Sequence, residues 1–126
     1  MENCKEKVKE SFERRMAAIR KLWKLYCENP DANDSDLGNL HEYGLGIDFV
    51  EAGTFKDQRE DYYRYQLSWG GPSEEFRLYK NGEVEFWYLD WFDGACVEVT
   101  GEDVQIIRQI IGMKHPEVED LPNRVT

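Results

Sequence analysis

Residues 61–94, DYYRYQLSWGGPSEEFRLYKNGEVEFWYLDWFDG, hold most of the chain's aromatic side chains, and their reading decides the fold. Asn81-Gly82 stands between two alternating aromatic-rich runs. A two-residue hairpin turn needs positive φ at both central positions, which Asn-Gly tolerates best. Counting outward from such a turn pairs Lys80 with Glu83, Tyr79 with Val84, Leu78 with Glu85, Arg77 with Phe86 and Phe76 with Trp87. Phe76, Leu78, Trp87, Leu89 and Trp91 then share one face, and Arg77, Tyr79, Val84, Phe86 and Tyr88 the other. Neither face is purely polar, so one packs the core and the second is half covered or open to a partner.

Upstream of the hairpin, YYRYQLSW alternates Tyr63, Tyr65, Leu67 and Trp69 with Tyr62, Arg64, Gln66 and Ser68, a second well-marked strand. Gly70-Gly71-Pro72-Ser73 after it reads as a tight connection. It lacks the Lys-Ser/Thr of a phosphate loop, and Glu74 and Glu75 would repel an anion. LGIDFVEAG from Leu45 is a shorter strand, preceded by a helical turn around Leu37, Leu40 and Tyr43. Downstream, Asp93-Gly94 supplies another turn signal, and Ala95, Val97 and Val99 face inward on a last strand.

Two helices flank these strands. Val8, Phe12, Met16, Ile19, Trp23 and Tyr26 recur at helical spacing over residues 3–28, with Arg14, Arg15, Arg20, Lys21 and Lys24 on the solvated side. Asn29-Pro30 ends that helix, and DANDSDLG continues as an acidic connection. Thr100-Gly-Glu-Asp103 resembles a capping box, opening a helix with Val104, Ile106, Ile107, Ile110 and Ile111 that Gly112 closes. The expected fold is one α+β domain over residues 1–112. It is an antiparallel meander of about four or five strands flanked by a long amino-terminal helix and a carboxy-terminal helix. Residues 113–126, with two prolines and little apolar bulk, read as a flexible tail.

The 126 residues carry 26 acidic against 16 basic side chains, a net charge of −10. Such a field repels nucleic acid and lipid headgroups and attracts cationic surfaces. No run approaches the roughly 18 to 20 apolar residues of a membrane span, and MENCKEKVKESFERR lacks the apolar core of a signal peptide. The expectation is a cytosolic protein with no membrane and no direct nucleic-acid partner. Cys4, Cys27 and Cys96 are odd in number and unpaired in spacing, which fits reduced thiols.

No nucleophile motif, glycine-rich nucleotide loop or zinc spacing occurs, and His41 and His115 have no partner that spacing identifies. No cofactor is expected. Asp90, Asp93 and Glu98 could converge at the last turn and hold a divalent metal as an enzyme would. Otherwise the product of the chain is a surface. Its candidates are the aromatic face of Tyr79, Phe86 and Tyr88 and the acidic loop residues Asp31, Asp34, Asp36, Asp57, Glu60 and Asp61. If both helices pack on the Trp87 face, the Tyr79, Phe86 and Tyr88 face is free for a partner or for a homodimer.

GTFKDQ from Gly53, YRYQLSWGGPSEEFRLY from Tyr63, EFWYLDWFDGA from Glu85 and TGED from Thr100 resemble, in that order, small uncharacterised proteins of bacterial plasmids, integrated elements and phages. The resemblance spans roughly residues 37 to 111 and brings no catalytic residue with it. It implies a mobile-element setting in a host bacterial cell, where small acidic proteins inhibit host defence, anti-CRISPR proteins among them. The functional expectation is therefore a non-enzymatic inhibitor that binds a protein effector of a defence system, a CRISPR-Cas component for instance, at its basic nucleic-acid-binding surface. The other readings are the metal-dependent enzyme and a housekeeping interaction module of the element, such as a regulator of its replication or transfer.

Overall fold

Local sequence signals place the first element. Asn3 caps a 25-residue helix, α1 (Cys4–Glu28). Its side chain accepts the Glu6 N–H at 3.1 Å, and Glu6 Oε2 accepts the Asn3 N–H at 3.2 Å, a reciprocal capping box. Val8, Met16, Ile19 and Leu22 form the buried stripe. A short helix α2 (Leu40–Tyr43) follows, then strands β1 (Gly46–Val50), β2 (Tyr62–Ser68), β3 (Ser73–Tyr79), β4 (Val84–Asp90) and β5 (Asp93–Val99), then α3 (Glu102–Lys114) and a 3-10 helix, Pro116–Asp120. The computed structural model describes residues 3–55, 58–90 and 93–123. The architecture is α+β: one open antiparallel sheet in the order β1-β2-β3-β4-β5, with α1 and α3 on a single face.

The hairpin register differs from the expected one by a residue. Leu78 faces Val84, Arg77 faces Glu85, Phe76 faces Phe86 and Glu75 faces Trp87. The loop holds three residues, Lys80, Asn81 and Gly82. Tyr79 N–H donates to the Glu83 carbonyl at 2.9 Å, and Gly82 takes φ +90°, the left-handed residue that closes a three-residue hairpin loop. Because side chains alternate with period two, this slip exchanges the faces of β4. Phe76, Leu78, Val84 and Phe86 are all at most 1% exposed under the helices. Arg77, Tyr79, Glu85, Trp87 and Leu89 project to the opposite face.

The core is the helix-facing layer: Tyr63, Tyr65 and Leu67 of β2, Phe76 and Leu78 of β3, Val84, Phe86 and Tyr88 of β4, Val99 of β5, and the stripes of α1 and α3. Phe76 and Phe86 meet edge-on at 5.0 Å, and Phe12 of α1 lies 5.7 Å from Phe86, geometries that aromatic quadrupoles favour. Glu74 has the same parity and is 2% exposed. Its carboxylate accepts from the Ser11 hydroxyl, from Arg15 Nη2 at 2.7 Å and from Ser68 Oγ at 3.0 Å. Burial alone would raise this carboxyl, but the Arg15, Ser11 and Ser68 bonds outweigh it and hold it below its ordinary range. Arg14 also reaches Glu74, and two more basic residues of α1 are tied down, Arg20 on Asp103 at 2.6 Å and Lys21 on Asp34 at 2.8 Å.

Three other expectations are corrected. Asp93-Gly94 already belongs to β5, with Asp90 facing Asp93 across the ladder. The α3 N-cap is Gly101 at φ +65°, without a side-chain cap bond, so Thr100 does not cap. Residues 113–123 are packed rather than a free tail. The helix runs through Gly112 to Lys114, and Val118 is 1% exposed. Buried Arg108 reaches the Val118 and Leu121 carbonyls at 3.0 and 2.8 Å and that of Pro122 beside them. Burial depresses its guanidinium pKa. Among the described residues no helix is long and apolar enough to cross a membrane.

Candidate binding surface

The helix-free face of the sheet is built from residues of even parity on β1, β2 and β5 and of odd parity on β3 and β4. In one row across it, Asp48, Arg64, Arg77, Glu85 and Glu98 stand opposite one another, strand by strand. In the next, Gln66 faces Glu75, Glu75 faces Trp87 and Trp87 faces Cys96. Arg64 and Arg77 would repel each other, so each draws in a carboxylate. Arg64 grips Asp48 in a two-point bond of 3.0 and 2.7 Å, and Arg77 Nε meets Glu75 at 2.7 Å.

Arg77 is the centre of this face. Its guanidinium lies 4.2 Å from the Trp87 ring centroid and 4.6 Å from that of Tyr62, a double cation–π stack. Burial works against its charge, and Glu75, 3% exposed at the side chain, more than offsets it, so the pKa rises. Glu85 organises the aromatic side, accepting from the Tyr79 hydroxyl at 2.6 Å and from Trp87 Nε1 at 3.1 Å. Burial first, and then Glu85, push the Tyr79 phenol well above its usual value, so it stays a hydrogen-bond donor at neutral pH. Tyr62 is 2% exposed although no helix covers it; Arg77 and the Tyr79 ring, 5.9 Å away, contribute to its cover.

This stacked layer floors a groove of about 500 Å³. Phe55, Gln58, Arg59 and Glu60 of the β1–β2 connection wall one side, and Trp69, Ser73 and Leu89 contribute the other end. Trp69 is 72% exposed and Phe55 47%. The strand pattern places Trp69 inward, but a register shift between Gln66 and Ser68 lets the chain leave the ladder, and Gly70 and Gly71 turn at φ +67° and +52°.

Of the expected partner-binding residues, Tyr79 and Glu60 line this groove. Phe86 and Tyr88 do not: they are 0% and 8% exposed beneath α1, on the face the sequence reading left open. That removes them from any partner surface, and with them the expected dimer patch. The acidic residues divide between two connections. Asp31, Asp34 and Asp36 follow α1. There Asp34 accepts the Asp36 and Leu37 N–H groups at 2.9 and 3.0 Å, and with Lys21 bound its pKa falls to about 2. Asp61 accepts the Ala52 N–H at 2.6 Å and Lys80 at 2.8 Å, and these bonds lower its pKa. Both are structural acids first. Asp57 lies outside the described residues.

Of the carboxylates considered for a metal site, Asp90 and Asp93 face each other across the ladder, but Glu98 is not brought to them. Asp93 has the parity of the core face and accepts the Cys4 N–H at 2.9 Å, pinning the start of α1. Glu98 faces Glu85 on the open face, about 17 Å further along the strand at the usual rise per residue. No cluster of three or more His, Cys, Asp or Glu able to hold a metal occurs among the described residues. His41 packs edge-on to Tyr26, and His115 lies beside Tyr63 and Glu117. The open-face residues that sequence reasoning passed over, Glu75, Arg77 and Trp87 in the groove and Glu85 beside it, follow from strand parity once the hairpin loop is given three residues.

The fold and this face define a one-sided α+β sheet protein that presents an aromatic and charged groove. Compared with protein-family models, curated protein sequences and solved structures, the chain gives no match.

Proposed function

We propose that this chain is a binding protein whose open sheet face engages another protein, and that it serves a mobile element by inhibiting a host defence effector at a basic, nucleic-acid-binding surface. The observation that carries the reading is the groove with Trp69 at 72% exposure at its rim and a Trp87–Arg77–Tyr62 stack as its floor. Tryptophan, tyrosine and arginine supply most hot-spot energy at protein interfaces. A large aromatic left in water beside a concave, partly apolar floor marks a place where something docks.

The charge pattern favours a cationic partner. The two arginines of the floor are already held by Asp48 and Glu75, exposed Arg59 and Glu60 offset each other on the wall, and the whole chain stands at −10. Stacked aromatics on an open sheet can also hold unpaired bases, but that mode needs a positive groove to track the phosphates. The acidic field opposes it.

The test is capture from a bacterial lysate with an active defence system, using the wild type and Trp69→Asp side by side. A defence effector retained at low salt, released steeply as salt rises, and lost with Trp69→Asp is the expected result. Equal capture by the variant, or capture indifferent to salt, overturns the reading.

A further inference from the structure

The described residues leave five large apolar side chains exposed. Phe55 and Trp69 belong to the open-face groove. The other three, Leu45 at 63%, Phe49 at 36% and Met113 at 41%, lie elsewhere, on or beside β1 and at the end of α3. β1 is a terminal strand of the sheet, so among the described residues its outer edge pairs with no other strand. Gly46, Asp48 and Phe49 are exposed along it. Beside that edge a cavity of about 380 Å³ opens between β1 and the last turn of α3, lined by Leu40, Gly44, Ile47, Tyr65, Ile110 and Met113, with His41 and Lys114 at its polar side.

We infer that the β1 edge and this cavity form a second binding site, one that takes an extended segment of another protein as a sixth strand. An unpaired edge offers backbone donors and acceptors to any extended chain, and an adjacent pocket selects one alternate side chain of it. Here the pocket walls are aliphatic and aromatic, so the anchor is a large aliphatic residue. Lys114 supplies a positive charge at the rim, with His41 beside it, in a chain whose net charge is −10, so acidic residues flanking the anchor complete the match. The other sheet edge, β5, presents exposed Asp93 and Glu98.

The occupant is a different protein rather than a second copy. Asp48 is the middle residue of β1, Gly46–Val50. Two copies pairing antiparallel about it would set carboxylate against carboxylate, the arrangement that protects edges from self-association.

A displayed library of short randomised peptides with one fixed leucine and glutamate on either side is the probe, selected on the whole protein. Enriched peptides are then measured by fluorescence anisotropy and by hydrogen exchange. The expected result is saturable binding that slows exchange of β1 amides. Met113→Asp should weaken it at least about tenfold, and Lys114→Glu about fivefold, magnitudes set by losing an apolar contact and reversing a rim charge. Both side chains are exposed, and thermal melts confirm that the variants fold. Selection without enrichment, equal binding of peptides N-methylated at alternate positions, or enriched peptides indifferent to Met113→Asp each overturns the inference. So does a dimer in sedimentation that Asp48→Asn strengthens and that excludes the peptides.

Discussion

Replacing Phe86 and Trp87 by alanine, one at a time, tests which side of β4 faces the core. Phe86 is 0% exposed and wedged between Phe76 at 5.0 Å and Phe12 at 5.7 Å. Truncating a phenylalanine so placed removes its burial and leaves a cavity, at a cost of about 3 to 5 kcal/mol. Trp87 stands on the open face, half-buried. Its loss forfeits one cation–π contact to Arg77, about 1 kcal/mol, and one hydrogen bond to Glu85, about another. Arg77 keeps Glu75 and the Tyr62 ring, so no charge is stranded. Phe86→Ala should therefore cost roughly twice as much as Trp87→Ala or more. For a chain of this size the larger loss lowers Tm by roughly 10 to 20 °C. Urea unfolding with a constant slope provides the measurement. Trp87→Ala should instead weaken capture through the open face while leaving the protein folded. An equal or greater stability loss for Trp87→Ala would mean that the register is wrong and the face assignment with it.

Two further outcomes follow from the packing. Glu74→Gln leaves Arg15, 18% exposed at its side chain, without its counter-charge and should cost about 3 kcal/mol at neutral pH. Because the folded carboxyl lies below its ordinary value of 4.5, its contribution is complete above that pH and fades as pH falls through it. Urea midpoints of wild type and variant should therefore converge in acid; a gap that stays constant down to the acid transition refutes the linkage. Gly82→Ala and Gly53→Ala separate strain from collision. Both glycines have positive φ, at +90° and +84°, but a Cβ on Gly82 would lie 2.0 Å from the Pro122 carbonyl oxygen, whereas Gly53 has open space. Gly82→Ala should cost at least about 1 kcal/mol more than Gly53→Ala. Equal costs would show that residues 121–123 do not dock over the hairpin.

The elements were legible wherever one strong period governed them. The α1 stripe, the alternation of Tyr63, Tyr65 and Leu67, and the isoleucines of α3 each report a single buried side, and the structure places them there. The hairpin failed because two signals disagreed and the weaker one was followed. Asn-Gly suits a two-residue turn, but a glycine with positive φ closes a three-residue loop equally well. Polarity had already chosen between them. Setting Phe76 against Phe86 and Arg77 against Glu85 keeps apolar with apolar and joins opposite charges, whereas the shorter loop sets Arg77 on Phe86 and Leu78 on Glu85. The docking of residues 113–123 had no comparable signal, since it depends on Arg108 finding carbonyls 10 to 14 residues away.

The same slip decided how much of the surface could be read. Whichever register the hairpin takes, Ser11 and Glu74 are polar residues on otherwise apolar stripes of α1 and β3. Two such residues on facing elements must find polar partners or remain unpaired at a cost of several kcal/mol, and here they meet each other. On the opposite side the corrected parity gathers Glu75, Arg77, Glu85 and Trp87, none of which suggests a site singly. Glu75 gives Arg77 its counter-charge beneath the rings, and Glu85 holds the Tyr79 hydroxyl and the Trp87 N–H in place. The floor of the groove is thus fixed before any partner arrives, which lowers the ordering cost of binding. Trp69 and Phe55, outside the ladder and largely in water, are the side chains left to move onto one.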